Sequence, residues 1–333
     1  MNVALLPGDG IGPEIMPAAT RALAELAPDL ELIEAPFGAA GIREAGTPLP
    51  DETLHACTAA AAVLKGPIGD PEFDAADVRP EQGVFLLRAE LGVYANLRPS
   101  RDGGTDLMIV RELLGGIYYG ARGVRDDGTV FDTCEYHPSQ VERIARRGFE
   151  LAGSRRGKLT SVDKANVLET SRMWRRVVRE LAPSYPDVGL EDMLVDNAAM
   201  QLASEPGQFD VIVTDNMFGD ILSDLAAAVT GGLGLAPSAS LADSGPGLFE
   251  PVHGSAPDIA GRGIANPAAM LRSTALLLEY AAGRPDEAAA LERAVDAALL
   301  AAPTPDLGGS ATTEELTGAV LDALTSSPAA RTL

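Results

Sequence analysis

The chain has 333 residues, 46% of them apolar, and a mean hydropathy of +0.07; this is long for one core and suits two domains or one elaborated domain. A formal charge of −22 excludes nucleic acid as a partner, because that binding rests on Lys and Arg neutralising phosphates. No run approaches the ~18 uninterrupted apolar residues of a membrane span, and the amino terminus, MNVALLPGDG, lacks the basic n-region of a signal peptide.

Short β-branched or leucine-rich runs at Val3–Leu6, Leu30–Ile33, Ala60–Leu64, Leu107–Val110, Leu159–Val162, Met193–Val195 and Val211–Val213 predict strands. Between them lie segments of helical spacing. Trp174, Val177, Val178 and Leu181 recur at intervals of three, four and seven, and a helix is expected over Phe218–Val229. This alternation predicts an α/β fold with a partly parallel sheet. The Gly- and Pro-rich stretches Gly66–Pro71 and Gly231–Gly247 read as loops, and Ser326–Leu333 as a frayed end. Cys57 and Cys134 are too few for a disulfide framework and read as small residues in a reducing, cytoplasmic compartment.

Polar clusters stand where several strands run out. Asp163, Lys164, Ala165 and Asn166 follow one strand, Asp196 and Asn197 another, and Thr214, Asp215 and Asn216 a third. Open α/β sheets bind ligands at the carboxyl ends of their strands, so these clusters can share a crevice. Asp220 and Asp224, four apart, share a helical face and suit a hard cation such as Mg²⁺ or Mn²⁺; the competing explanation is that acids favour a helix amino terminus and water. Ile221, Leu222, Leu225 and Val229 are left to pack on the core. Lys164 is either a base activated by a nearby cation or a solvated loop charge.

An acidic chain repels an anionic substrate, so an enzyme for one must gather its arginines. Arg88 and Arg98 bound the segment RAELGVYANLR, and Arg111 follows the strand Leu107–Val110; arginines grip carboxylates through paired hydrogen bonds. GDGIGPE, Gly8–Glu14, lacks the third glycine of a dinucleotide fingerprint and does not support a Rossmann fold. Glu250–Gly261 is rich in turn formers; it is either a nucleotide-holding loop or plain surface.

Taken in order, GDGIGPE, NLRP, VREL with GGIYYG, SVDKANVLE, FGDILSDLAA and FEPVHGSAPDIAG resemble the isocitrate/isopropylmalate dehydrogenase family over nearly the whole chain. The resemblance implies a two-domain, non-Rossmann α/β fold with a mixed central sheet. Residues 1–93 and 232–333 would form a cofactor-side domain, and 94–231 the metal, substrate and dimerisation domain. It also implies a homodimer with shared active sites and no nucleic-acid or membrane partner. The expected reaction is NAD-dependent oxidative decarboxylation of 3-isopropylmalate to 2-oxo-4-methylpentanoate, a step of leucine biosynthesis.

Carried over position by position, Arg88, Arg98 and Arg111 would hold the substrate carboxylates, while Glu81, Val84 and Phe85 would line the pocket for its side chain. Asp220 and Asp224 would bind Mg²⁺ or Mn²⁺ together with Asp196 of the other subunit. Lys164, also from that subunit, would take the hydroxyl proton, and Tyr118 would protonate the enolate. Ile11, Glu250, His253, Gly254, Ser255, Ala256 and Asn266 would line the cofactor site. Asp258 would hold the ribose hydroxyls, favouring NAD over NADP by repelling a 2′-phosphate.

Two departures bear on the substrate. Only twelve residues, Pro99–Val110, separate Arg98 from Arg111, fewer than the family usually has. Val84 and Phe85 replace two leucines of the isopropyl pocket. Apolar pockets discriminate weakly, at ~1–3 kcal/mol per methylene, so another 3-substituted malate of a specialised pathway is the alternative substrate. Isocitrate and homoisocitrate would set an extra carboxylate against Glu81 with no added cation in that helix. A non-catalytic regulatory subunit would have little reason to keep Tyr118, Lys164, Asp196, Asp220 and Asp224 together. A nucleotide-binding protein without redox chemistry would leave the acids beside three arginines unexplained.

Overall fold

Strands alternate with helices throughout the computed structural model, which describes residues 1–102 and 104–326; residues 327–333 of the expected frayed end lie outside it. The chain divides into two compact units, Met1–Gly92 with the chain from Leu233 onward, and Val93–Gly232.

The first unit begins with β1 (Asn2–Leu6), α1 (Gly12–Leu26), β2 (Glu31–Glu34), α2 (Ala39–Ala45), α3 (Asp51–Ala59), β3 (Ala62–Lys65) and α4 (Pro80–Glu90). The second contains β4 (Ala95–Asp102), β5 (Thr105–Glu112), the β6 (Arg122–Val124) and β7 (Val130–Asp132) ribbon, α5 (Pro138–Gly153), β8 (Lys158–Asp163), α6 (Glu169–Leu181), β9 (Gly189–Leu194), α7 (Val195–Ser204), β10 (Val211–Thr214) and α8 (Asn216–Val229). The chain then completes the first unit with β11 (Pro237–Leu241), β12 (Gly247–Pro251), α9 (Ala268–Tyr280), α10 (Pro285–Ala301) and α11 (Thr313–Ser326).

In the first unit the strand order is β2-β1-β3-β12-β11, parallel except for β11 against β12. Residues of α1, α9, α10 and α11 form one core that includes Leu23, Leu271, Leu278, Leu291, Val295 and Leu316. In the second unit the order is β4-β5-β10-β8-β9, parallel except for β4 against β5. The sheets are thus mixed, as expected. β3 and β10 are buried along their whole length, which explains the apolar runs at residues 62–64 and 211–213 within them. On α6, Trp174, Val177, Val178 and Leu181 are all buried, and its arginines fall at other positions, so the helical spacing picked out the core face.

The structure departs from the sequence pattern in four places. Gly231–Gly247 is not one loop: it contains β11, whose small residues carry no apolar signal and which is held by pairing with β12. Val195 starts α7 rather than ending a strand. β4 carries no apolar run, since Asn96 and Arg98 alternate with Ala95 and Leu97, although all four are buried. On α8, Leu222 is buried as expected, but Ile221 is 57% exposed.

Candidate active site

Strand polarity positions the second unit's functional groups. β5, β10, β8 and β9 run parallel, and their registers pair Arg111 with Thr214, Thr214 with Val162, and Asp163 with Leu194. Arg111, Asp215, Lys164 and Asp196 therefore stand at or just beyond the same strand ends. The twelve residues separating Arg98 from Arg111 belong to the antiparallel β4–β5 pair. In its register Asn96 faces Arg111. Directly opposed residues share a face, as do residues two apart in a strand, so Asn96, Arg98 and Arg111 lie on one side.

That side meets the first turns of α8. Arg111 donates through Nε and Nη2 to Asn216 Oδ1 at 3.0 and 2.8 Å, and through Nη1 to Asp220. Asn216 is itself oriented by donating to the carbonyls of Leu113 and Gly115. Arg98 donates through Nε to Asn96 Oδ1 at 2.8 Å and through Nη1 to Ser223 Oγ at 2.6 Å. It also pairs with Asp224 at 3.3 Å and Asp220 at 3.5 Å. The Tyr118 hydroxyl donates to Asp220 Oδ2 at 3.2 Å. Burial, then the charge of Asp220, pushes the Tyr118 hydroxyl above its ordinary range, so it remains protonated. Gly219 makes this packing possible: a Cβ there would lie 2.6 Å from Cγ of Arg111, and a glycine costing a helix about 1 kcal/mol is tolerated for that reason.

The donor set fits a hard divalent cation. Asp220 and Asp224 lie one turn apart, with side chains 36% and 52% exposed. Burial raises the Asp224 carboxyl and Asp220 raises it further against the pull of Arg98, a repulsion that a cation would relieve. Among the described residues of one chain, no three carboxylate, histidine or cysteine side chains form a metal cluster. Asp196, on α7, instead accepts from Lys164 Nζ at 2.5 Å, and this hydrogen bond lowers its carboxyl.

In the first unit, α4 carries Glu81, Val84, Phe85 and Arg88 at spacings that share one helical face. Glu81 and Phe85 are exposed and Val84 is half-buried. Gly69 lies between Glu81 and the glycine-rich loop: its Cβ would meet Glu81 Oε1 at 3.2 Å and Ser255 Oγ at 3.4 Å. Its N–H donates to Asp9 Oδ2, and Ala39 N–H to Asp9 Oδ1, so the buried Asp9 fixes the turn.

The loop after β12 has features of a nucleotide site. The backbone N–H of Ile11 donates to the Ser255 carbonyl at 2.9 Å, joining the two glycine-rich segments. Ala256 holds a left-handed φ of 40°, a conformation that a side chain adopts at a cost. Burial keeps His253 neutral, and its Nε2 is buried without a partner among the described residues. Asn266 Nδ2 donates to Asp306 Oδ2 at 3.0 Å. Gly254 and Asp258 are exposed. A polar, partly unsatisfied lining beside apolar Ile11 fits an adenine ring.

Arg88 and Glu250 also meet in this unit, through Arg88 Nη2 donating to Glu250 Oε1 at 2.9 Å. Asn96, Asn216 and Ser223, which hold the arginines, carry no sequence signal of that role, and neither do Lys65 and Asp306. Asn216 stood in a strand-end cluster, but its role depends on contacts more than a hundred residues apart in sequence.

Residues 2–320 match the isocitrate/isopropylmalate dehydrogenase family. The chain is 53% identical to a 3-isopropylmalate dehydrogenase of Zymomonas mobilis, an alignment covering 97% of this chain and all of that protein. It is 52% identical to one of Heyndrickxia coagulans, over 89% of this chain and 87% of the relative. A crystal structure of isocitrate dehydrogenase from Methylococcus capsulatus superposes with a TM-score of 0.90 at 38% identity, covering 97% of this chain and 99% of that one. The chain belongs to the isocitrate/isopropylmalate dehydrogenase family. It is an oxidoreductase acting on a small-molecule substrate, with a nucleotide cofactor and a divalent metal as that family implies.

Proposed function

We propose that this chain oxidises 3-isopropylmalate with NAD and releases CO₂ to give 2-oxo-4-methylpentanoate, a step of leucine biosynthesis. The observation that carries the reading is the set of Arg98, Arg111, Tyr118, Asp220 and Asp224 on one face of the second unit. It joins carboxylate grips, a protonated acid and a cation-type acid pair, which is what β-decarboxylation needs. The identity to relatives named for this substrate supports the choice.

Asp220 and Asp224, with the partner subunit's Asp196, would hold Mg²⁺ or Mn²⁺, which when bound acidifies the substrate hydroxyl and offsets negative charge on that oxygen. Arg98 and Arg111 bind and orient carboxylate, their stems fixed by Asn96, Ser223 and Asn216. Lys164 of the partner subunit takes the hydroxyl proton as hydride leaves carbon 2 for the nicotinamide. Its pairing with Asp196 within one chain supports delivery of both groups by the same subunit. Tyr118 then gives its proton to carbon 3 of the enolate once the C–C bond to CO₂ has broken. In the first unit, Arg88 binds a substrate carboxylate and Glu81, Val84 and Phe85 face the substituent. Ile11, His253, Gly254, Ser255, Ala256 and Asn266 receive NAD, with Asp258 on the ribose; Glu250, whose two oxygens are engaged by Lys65 and Arg88, is left out of that set.

Exposed apolar side chains support the dimer. Met200 on α7 and Ile221 on α8 are 60% and 57% exposed, and Val124 and Val130 on the β6–β7 ribbon are exposed as well. Among the described residues no helix is long and apolar enough to cross a membrane, and Cys57 and Cys134 are free thiols, which suits the cytoplasm. Phe85, 42% exposed on the substituent-facing side of α4, favours one second reading: the same chemistry on another 3-substituted malate. The test is NADH formation with Mg²⁺ or Mn²⁺ on 3-isopropylmalate, malate, 3-methylmalate, isocitrate and homoisocitrate. The highest kcat/KM on 3-isopropylmalate is expected. A higher value on another malate selects the second reading, and no turnover on any of them refutes both.

A further inference from the structure

Lys65 ends β3 and is only 2% exposed. A buried ammonium is costly unless fully partnered, and no step above uses it. Its Nζ donates to the Gly66 carbonyl at 2.8 Å and pairs with Glu250 Oε2 at 2.6 Å. The other oxygen of Glu250, Oε1, accepts from Arg88. Burial opposes ionisation of Glu250, but the Lys65 ammonium and then the Arg88 guanidinium hold its carboxyl down at about 2. One carboxylate is therefore divided between two cations, and the trio, buried except for part of Arg88, carries an excess positive charge.

The division changes what Arg88 can do. A guanidinium alone with a carboxylate takes both oxygens in a two-pronged fork. Here Lys65 turns Oε2 toward itself, so Arg88 meets Glu250 through Nη2 and Oε1 alone, and Arg88 Nε is buried with no partner among the described residues. We propose that Lys65 is a positioning residue: by holding Oε2 of Glu250 it denies Arg88 the fork and keeps part of the guanidinium available for the substrate carboxylate. This rests on the substrate-binding role of Arg88 proposed above. Substrate affinity at this arginine is then set by a competition inside the protein, and Lys65 acts without touching the substrate.

The test measures KM for 3-isopropylmalate at saturating NAD and Mg²⁺, with Kd by calorimetry, for the full-length enzyme and four variants. Arg88→Gln checks the underlying reading: an unchanged KM there removes the substrate role of Arg88 itself. Lys65→Met lets Glu250 close on Arg88, so KM is expected to rise ~10-fold or more while kcat stays within ~3-fold. Lys65→Met with Glu250→Gln removes the competing carboxylate and brings KM back toward the wild-type value. If Arg88→Gln raises KM but Lys65→Met leaves it unchanged, the positioning role is wrong and the substrate reading stands. A raised KM persisting in the double variant also overturns it, because Lys65 would then act independently of Glu250. Should Lys65→Met not fold, Glu250→Gln is compared with the double variant: KM values within ~3-fold support action through Glu250, and a ~10-fold gap refutes it.

Discussion

Glu112, at the end of β5 beside Arg111, is fully buried in the second unit, and burial pushes its carboxyl up to about 7 against the backbone N–H of Leu114. Its folded pKa thus lies above the unfolded value near 4.5, so the folded state binds the proton more tightly. The stability this contributes is present at low pH and is lost as pH rises from about 4.5 through about 7. A shift of this size corresponds to about 3 kcal/mol overall, of which about 2 kcal/mol is lost between pH 5.5 and 8.5. Glu112→Gln keeps the shape and the acceptor for Leu114 but cannot ionise. It is expected to lose that ~2 kcal/mol of pH dependence, whatever its absolute stability. Burial likewise raises Asp215 to about 7, and its charge adds to the rise at Glu112, so part of the lost pH dependence reports on the pair. The assay is denaturant unfolding at pH 5.5 and 8.5 followed by fluorescence of Trp174, the chain's single tryptophan, which lies in the same unit. An identical difference between variant and wild type at the two pH values would refute the argument.

Gly219→Ala places a methyl group against the Arg111 stem; KM for the malate should rise ~10-fold, and unchanged kinetics would mean that Arg111 binds elsewhere. Lys164→Met and Tyr118→Phe should each lower kcat by ~10²-fold or more. Co-expressing the two inactive chains should restore activity, because a mixed dimer with shared sites contains one site with both native groups; no recovery in a purified heterodimer contradicts the shared-site arrangement. Asp258→Ser removes the charge that repels a 2′-phosphate, so kcat/KM for NADP relative to NAD should increase about tenfold. An unchanged ratio places the ribose away from residue 258.

Groups defined by short-range pattern were legible without coordinates. Strand ends followed by polar residues located Lys164, Asp196 and Asp215, and helical spacing set Asp220 with Asp224 on a shared face. Trp174 and its helical neighbours marked a core face for the same reason. Tyr118 carried no such pattern and was legible only through the motif that contains it. Its donation to Asp220 joins residues a hundred and two positions apart.

What the amino-acid order determined by itself was the alternation of elements and the chemistry at their ends, because burial periodicity and turn residues act within a few positions. Tertiary structure alone decided the pairing of Asn96 with Arg111, the hold of Asn216 and Ser223 on the two arginines, and the exposure of Ile221. It also decided the sharing of Glu250 between Lys65 and Arg88. Three charges brought together from positions 65, 88 and 250 leave no local trace, since strand register and helix packing choose which distant residues must neutralise one another.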